Sequence, residues 1–402
     1  LEQKYSGVEN NFEYYTISRE FYFTLYCSHI KFFLGLPIMH KIPFKLALLL
    51  LLALFNFGLS NATYAADLVR GIYLTQTTLE NTKYLTYLIE HAKAAGINTF
   101  VVDLEKPSKQ YQKNIALLKE NNISYIARVI VFPEGGHPEQ IASQAYWTKR
   151  YKLMAAAVSY GAQQVQLDYI RYNTRQPASS ENAKNIFRVV QWFKDKLKPE
   201  GIPLQADVFG ISSFGESRHI GQNLRMMAQS VDALCPMVYP SHFEPFRQHA
   251  VTPYKTIYTS LTALRSQFDY KPPFKLYAYI EISNYRYPLS PDKRRAYVIA
   301  EMKAVKDSGA DGWYVWSAHN KYDYLFTLLG QLAKEGNLDG QKTLHADAAL
   351  SPGKSVTDNT IGDKAEVDED QETATKAPLS VSSNKTHPLM WTWAHVTTIE
   401  NL

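Results

Sequence analysis

The chain has 402 residues, 46% of them apolar and 20% charged, with a formal net charge of +5 and two cysteines. That length exceeds the roughly 250 residues of an eight-fold barrel, so the ends must carry extensions. No dense Lys/Arg stripe follows the first 65 residues, which argues against nucleic-acid binding.

The chain does not begin with Met, and residues 1–38 read as a doubtful leader before Met39. From Met39 the pattern is that of a secretory signal over residues 39–65: basic His40, Lys41 and Lys45, an apolar stretch 46–59, and a small-residue exit at 60–66. Cleavage is expected after Ala65, with Ala62 as the alternative. The apolar stretch falls short of the roughly 20 residues a spanning helix needs, so a secreted or periplasmic protein without stable membrane insertion is expected. An uncleaved membrane anchor is the alternative.

From residue 67 to 335 one unit recurs: an amphipathic helix stops at Gly or Asn, and a short apolar run then gives way to polar residues. About eight units occur, the number that closes a parallel barrel. The strands are expected at 70–74, 97–103, 124–131, 165–170, 204–208, 233–239, 275–281 and 312–316, apolar enough to be covered on both faces. Tyr84, Leu85, Leu88, Ile89 and Ala92 share one helix face ahead of Gly96 at a C′ position, and Gly161, Gly201 and Gly309 repeat that stop. Ile186, Val189, Val190, Phe193 and Leu197 form a second stripe, and Ala300, Ala304 and Val305 a weaker one. A doubly wound open sheet would share the alternation, but its usual glycine-rich first turn is replaced here by Leu74-Thr75-Gln76-Thr77. The fold class is therefore read as α/β, a single (β/α)8 barrel.

Residues 336–402 lose periodicity and become polar, with an acidic cluster at Glu366, Asp368, Glu369, Asp370 and Glu372, as expected of a largely disordered tail. Cys27 falls in the leader and Cys235 in a strand, so the barrel is expected to hold one buried thiol and no disulfide.

In such a barrel chemistry belongs at the C-terminal strand ends. Asp168, in Gln166-Leu167-Asp168-Tyr169-Ile170-Arg171-Tyr172, and Asp207 on the next strand are the candidate catalytic pair. Neighbouring strands lie about 4.8 Å apart, which brings such carboxylates within the separations glycoside hydrolysis uses. The bland readings are a salt bridge from Asp168 to Arg171 and a turn cap at Asp207. Tyr73, Asp103, Arg128, Arg171, Tyr239, His242, Glu281 and Trp316 are candidate substrate-binding residues, with Glu105 and His319 further along the rim. Glu281 is also an alternative acid. Histidines are scattered, with no His-x-His or His-Glu-x-x-His spacing, and no Gly-x-Ser-x-Gly elbow occurs, so neither a metal, a cofactor nor a serine nucleophile is expected.

The segments Val69-Arg70-Gly71-Ile72-Tyr73-Leu74, Ala127-Arg128-Val129-Ile130-Val131-Phe132, Gln166 to Tyr172, Asp207-Val208-Phe209-Gly210, Ile220-Gly221-Gln222 and Pro236-Met237-Val238-Tyr239-Pro240-Ser241-His242 resemble, in order, a family of secreted bacterial proteins known as the "putative glycoside hydrolase" domain, a domain of unknown function. The resemblance implies a barrel of the glycosidase group, with Asp168 and Asp207 at its acidic strand ends and Arg128, Arg171, Tyr239 and His242 around them. Asp103-Leu104-Glu105 departs from the family's Asp-x-Lys, and the seventh strand, Tyr277-Ala278-Tyr279-Ile280-Glu281, departs from its Trp-Leu-Gln. A lysine lost and carboxylates gained would change the charge shown to a substrate. The expected function is hydrolysis of a polysaccharide or envelope glycan. The alternatives are a non-catalytic carbohydrate-binding barrel and a structural envelope protein.

Overall fold

The structure is a computed structural model describing residues 68–337. The expected leader, the signal segment and the tail beyond Asn337 lie outside the described residues. Within them, β1 (Val69–Leu74), β2 (Thr99–Asp103), β3 (Ser124–Ile130), β4 (Gln164–Asp168), β5 (Leu204–Phe209), β6 (Ala233–Met237), β7 (Lys275–Glu281) and β8 (Gly312–Trp316) pair in parallel, each with the next in sequence. β8 pairs back onto β1, with Gly71 opposite Tyr314, and the barrel closes. All eight expected strands are present, shifted at their ends by a few residues.

The period of two explains how each strand serves two layers. Ile72, Leu74, Phe100, Val102, Ala127, Val129, Val165 and Leu167 face outward into the core shared with the helices. Full burial of such a side chain contributes about 1.5–3 kcal/mol, so this layer holds the helices on. Tyr73, Val101, Ile126, Cys235, Met237, Tyr277, Tyr279 and Tyr314 face inward. Gly71 and Gly312 are glycines for want of room: a Cβ at Gly71 would lie 2.5 Å from the Tyr314 ring, and one at Gly312 would lie 2.2 Å from the Val69 carbonyl oxygen.

The crossover helices are α1 (Thr82–Ala94), α2 (Lys109–Glu120), α3 (Gln144–Ser159), α4 (Ser180–Leu197), α5 (Leu224–Met227), α6 (Pro253–Ser266), α7 (Pro291–Asp307) and α8 (Asp323–Lys334). Side chains cap several of them: Asn81 accepts from the Tyr84 N–H, Ser108 from Tyr111 and Ser143 from Tyr146. Gly96 follows α1 at φ 72°, the left-handed stop its position predicted. The fifth crossover departs from the repeating unit, because α5 is only four residues long. Here the Gln222 side chain accepts from the Phe209 N–H at 2.9 Å and from Ser212 Oγ at 3.1 Å, fastening the loop onto the end of β5. No helix among the described residues is long and apolar enough to cross a membrane.

Candidate active site

Four ionisable residues on consecutive strands meet at the mouth. Asp103 ends β2, Arg128 lies beside it on β3, Asp168 ends β4 and Asp207 lies on β5. All four are buried. The Arg128 guanidinium pairs through Nη1 with Asp103 and through Nη2 with Asp168, and its Nε is 3.5 Å from Asp207 Oδ2. Tyr73 donates to the other oxygen of Asp103 at 2.5 Å, and its ring lies under the guanidinium, 5.1 Å from centroid to Cζ. Asp168 Oδ1 accepts the Tyr169 N–H at 2.5 Å, an arrangement that holds Tyr169 at φ 52°. A left-handed tyrosine costs of order 1–3 kcal/mol, which the surrounding packing must offset.

One cation faces three carboxyl groups, an excess of negative charge that favours keeping a proton on a carboxyl. Asp207 Oδ1 is the buried oxygen in this cluster without a hydrogen-bond partner. Burial, and then the neighbouring charge of Asp168, hold the Asp207 carboxyl well above the usual range. Burial also raises Asp103, against the pull of Arg128. For Arg128 burial acts downward, but Asp103 and Asp168 outweigh it and fix the guanidinium in its charged form.

Above this cluster Asp168 and Asp207 open onto a cleft walled by Tyr239, Trp316 and His242 and floored by Met237 and Tyr279. The Tyr239 and Trp316 rings are 6.1 Å apart, and Tyr285, 43% exposed, stands edge-on to Trp316 at 5.6 Å. The Tyr285 hydroxyl donates to the Trp316 carbonyl at 2.7 Å, bracing the wall. Burial and Arg286 lower His242 to about 4, so the imidazole is neutral near neutral pH. Arg128 also borders a second cavity of about 190 Å³, lined by Asp103, Glu105 and Arg150.

Tyr73, Asp103, Arg128, Asp168, Asp207, Tyr239, His242 and Trp316 are thus brought together at the mouth. Arg171 stands apart. Its Nη1 donates to the Tyr172 carbonyl at 2.9 Å, and its guanidinium packs over Tyr169 and Phe209 at 5.3 and 5.2 Å; it forms no ion pair with Asp168, whose partner is Arg128. Asp207 likewise caps no turn. Glu281 is fully buried behind the cleft, accepting from the Ser241 N–H at 3.0 Å, Ser241 Oγ at 2.6 Å and Tyr297 OH at 2.5 Å. Glu105 and His319 are exposed. Met237, Tyr279, Ser241, Tyr285 and Arg150 were missed by the sequence reading. Met237 and Tyr279 were within reach, since each lies an even number of residues from an inward-facing strand residue.

The geometry is that of an eight-stranded parallel barrel with an acidic, aromatic-walled mouth. Residues 139–322 match the model of the family described as "Putative glycosyl hydrolase domain". No curated protein matches the chain. Among solved structures, the endo-beta-1,4-mannanase from Thermotoga petrophila is 12% identical over 68% of this chain and 78% of its own, with a TM-score of 0.50. The spore cortex-lytic enzyme SleL of Bacillus megaterium QM B1551 is 12% identical over 67% and 74%, with a TM-score of 0.49. A chitinase from Chromobacterium violaceum ATCC 12472 is 15% identical over 66% and 98%, with a TM-score of 0.44. At such identity the mannanase shares the barrel fold and nothing finer.

Proposed function

We propose that the protein is a secreted or periplasmic glycoside hydrolase acting on a polysaccharide or envelope glycan, with Asp207 as general acid and Asp168 as its partner carboxylate. The observation that carries this reading is the imbalance of three carboxyls around Arg128 together with the unpartnered Asp207 Oδ1 at the cleft. A carboxyl whose proton is held by burial can deliver it to the leaving glycosidic oxygen. Asp168 then attacks the anomeric carbon, with retention, or activates a water, with inversion. Sharing one guanidinium keeps the two carboxyls near each other; a separation of ~5–5.5 Å would suit retention and ~6.5–9.5 Å inversion. Tyr239 and Trp316 offer aromatic faces for a sugar ring, and Arg128 opposes the charge that builds on Asp207 as it gives up its proton.

The test is release of new reducing ends from a panel of envelope and other polysaccharides by the purified protein and its Asp168→Asn and Asp207→Asn variants. Release by the parent alone supports the assignment and identifies the glycan class; equal release by both variants removes these residues from the mechanism. One observation favours a second reading. Both oxygens of Asp168 are already engaged, by Arg128 and by the Tyr169 N–H, as in a site that binds sugar without cleaving it. Glycan binding without release by any of the three proteins would select that carbohydrate-binding barrel.

A further inference from the structure

Behind the cleft a chain of hydrogen bonds runs from the buried carboxyl of Glu281 to a ring that lines the mouth. Glu281 Oε2 accepts from Ser241 Oγ at 2.6 Å, and the same Oγ is 2.9 Å from His242 Nδ1. The other oxygen, Oε1, takes the Ser241 N–H and the Tyr297 hydroxyl. Arg286 Nε donates to the Ser241 carbonyl at 3.2 Å, fixing the one-turn segment Pro240–His242 from its far side.

We infer that Glu281 is a positioning residue that sets, through the Ser241 hydroxyl, which ring nitrogen of His242 carries the hydrogen in the cleft, and that protonation of Glu281 inverts the choice. A serine hydroxyl has one hydrogen to give. While Glu281 is a carboxylate, that hydrogen is committed to Oε2, because the charge-assisted bond is the stronger. Nδ1 must then be the donor to Oγ, and Nε2 is left as an acceptor. When Oε2 holds a proton, each bond in the chain reverses. The carboxylic O–H donates to Oγ, the serine hydrogen turns to Nδ1, and the ring carries its hydrogen on Nε2. The change balances as a single proton relay: a proton arrives at Nε2, the Nδ1 hydrogen passes to Oγ, and the Oγ hydrogen passes to Oε2. The imidazole stays neutral in both states, and one proton has been taken up by Glu281.

The surroundings fit this device. From α7, Tyr297 and Glu301 face Glu281; from the segment after β7, Tyr285 and Arg286 face it and His242. Burial raises Glu281 to about 7, while burial and Arg286 lower His242 to about 4, so the reversal falls where the ring itself does not charge. Burial, and then the charge of Glu281, raise Glu301 well above the usual range. Nε2 of His242 would thus be a hydrogen-bond acceptor in mildly alkaline solution and a donor in mildly acid solution. The inference deepens the proposed cleft chemistry but is read without substrate, so it and the hydrolase assignment can fail separately.

Long-range proton–nitrogen spectra of histidine-labelled protein, recorded between roughly pH 5 and 9, report each ring's tautomer directly. His242 is assigned by the signal that disappears in His242→Asn. The parent is expected to pass from the Nε2–H to the Nδ1–H form as pH rises, with one midpoint, and Glu281→Gln to keep one form throughout. Ser241→Ala, which leaves Tyr297 and the backbone N–H on Glu281, serves if the Gln variant does not fold, and it also is expected to show no inversion. A single His242 tautomer in the parent across the range, or an inversion that persists in Ser241→Ala, would overturn the inference.

Discussion

Asp207 turns one carboxyl oxygen toward Arg128 Nε, 3.5 Å away, and keeps the other buried without a partner. That asymmetry separates it from Asp103 and Asp168, each of which has both oxygens engaged. A group that must give up a proton to a leaving oxygen is useful only while protonated. Activity is therefore expected to fall on the alkaline side, as pH rises through the elevated Asp207 value. Asp207→Asn should lower kcat by about 10²–10⁴-fold and remove that limb from the pH profile, with the circular dichroism spectrum unchanged. An unaltered alkaline limb in the variant would assign the acid elsewhere.

Arg128 is asked to neutralise more than one buried carboxylate. Replacing it with Met leaves Asp103 and Asp168 buried without their cation, and breaking a buried pair this way costs about 3–5 kcal/mol. The urea midpoint of Arg128→Met should drop accordingly, and adding Asp103→Asn should restore part of the loss. A midpoint equal to that of the parent would mean that the carboxyls are already neutral in the folded protein.

The strands could be read from sequence because a barrel strand covered on both faces is apolar along its length, and Gly96, Gly161, Gly201 and Gly309 marked where helices stop. Asp168 and Asp207 were legible as strand ends. Their partner was not: Arg171 is three residues from Asp168 in sequence, but Tyr169 at φ 52° turns the chain so that Arg171 stacks on Tyr169 and Phe209. Arg128, forty residues away, takes the pair because inward-facing positions on neighbouring strands converge on the barrel axis. Glu281 shares that inward parity, yet the turn at Ser241 covers it, a contact no local pattern encodes. The four-residue α5 was hidden for a similar reason, since the Gln222 bonds that replace a longer helix are tertiary.

Glu281 also ties stability to pH. Its carboxyl holds a proton in the folded protein up to about 7, whereas in the unfolded chain it releases it near the ordinary value of 4.5. Between those values the folded state binds more protons than the unfolded state, so unfolding free energy falls as pH rises. The contribution is fully present below the unfolded value and is lost as pH rises to the folded one, a change of about 3 kcal/mol. Glu281→Gln should flatten the pH dependence of the urea midpoint in this window. A parent whose stability rises from pH 5 to about 7 would contradict the burial penalty on this group.

Trp316 is expected to act on binding rather than on chemistry. Its ring lies 6.1 Å from Tyr239 and 5.6 Å from Tyr285, forming a wall of the cleft that Asp168 and Asp207 line. A sugar stacked there is held equally in the ground and transition states, so loss of the ring removes uniform binding. Trp316→Ala should raise KM about tenfold, equivalent to ~1.4 kcal/mol, with kcat changed by less than about threefold. Titration of the inactive Asp207→Asn protein with the same glycan, with and without Trp316→Ala, checks this without turnover. Equal affinities in that titration would move the sugar away from Trp316, toward the cavity beside Glu105 and Arg150.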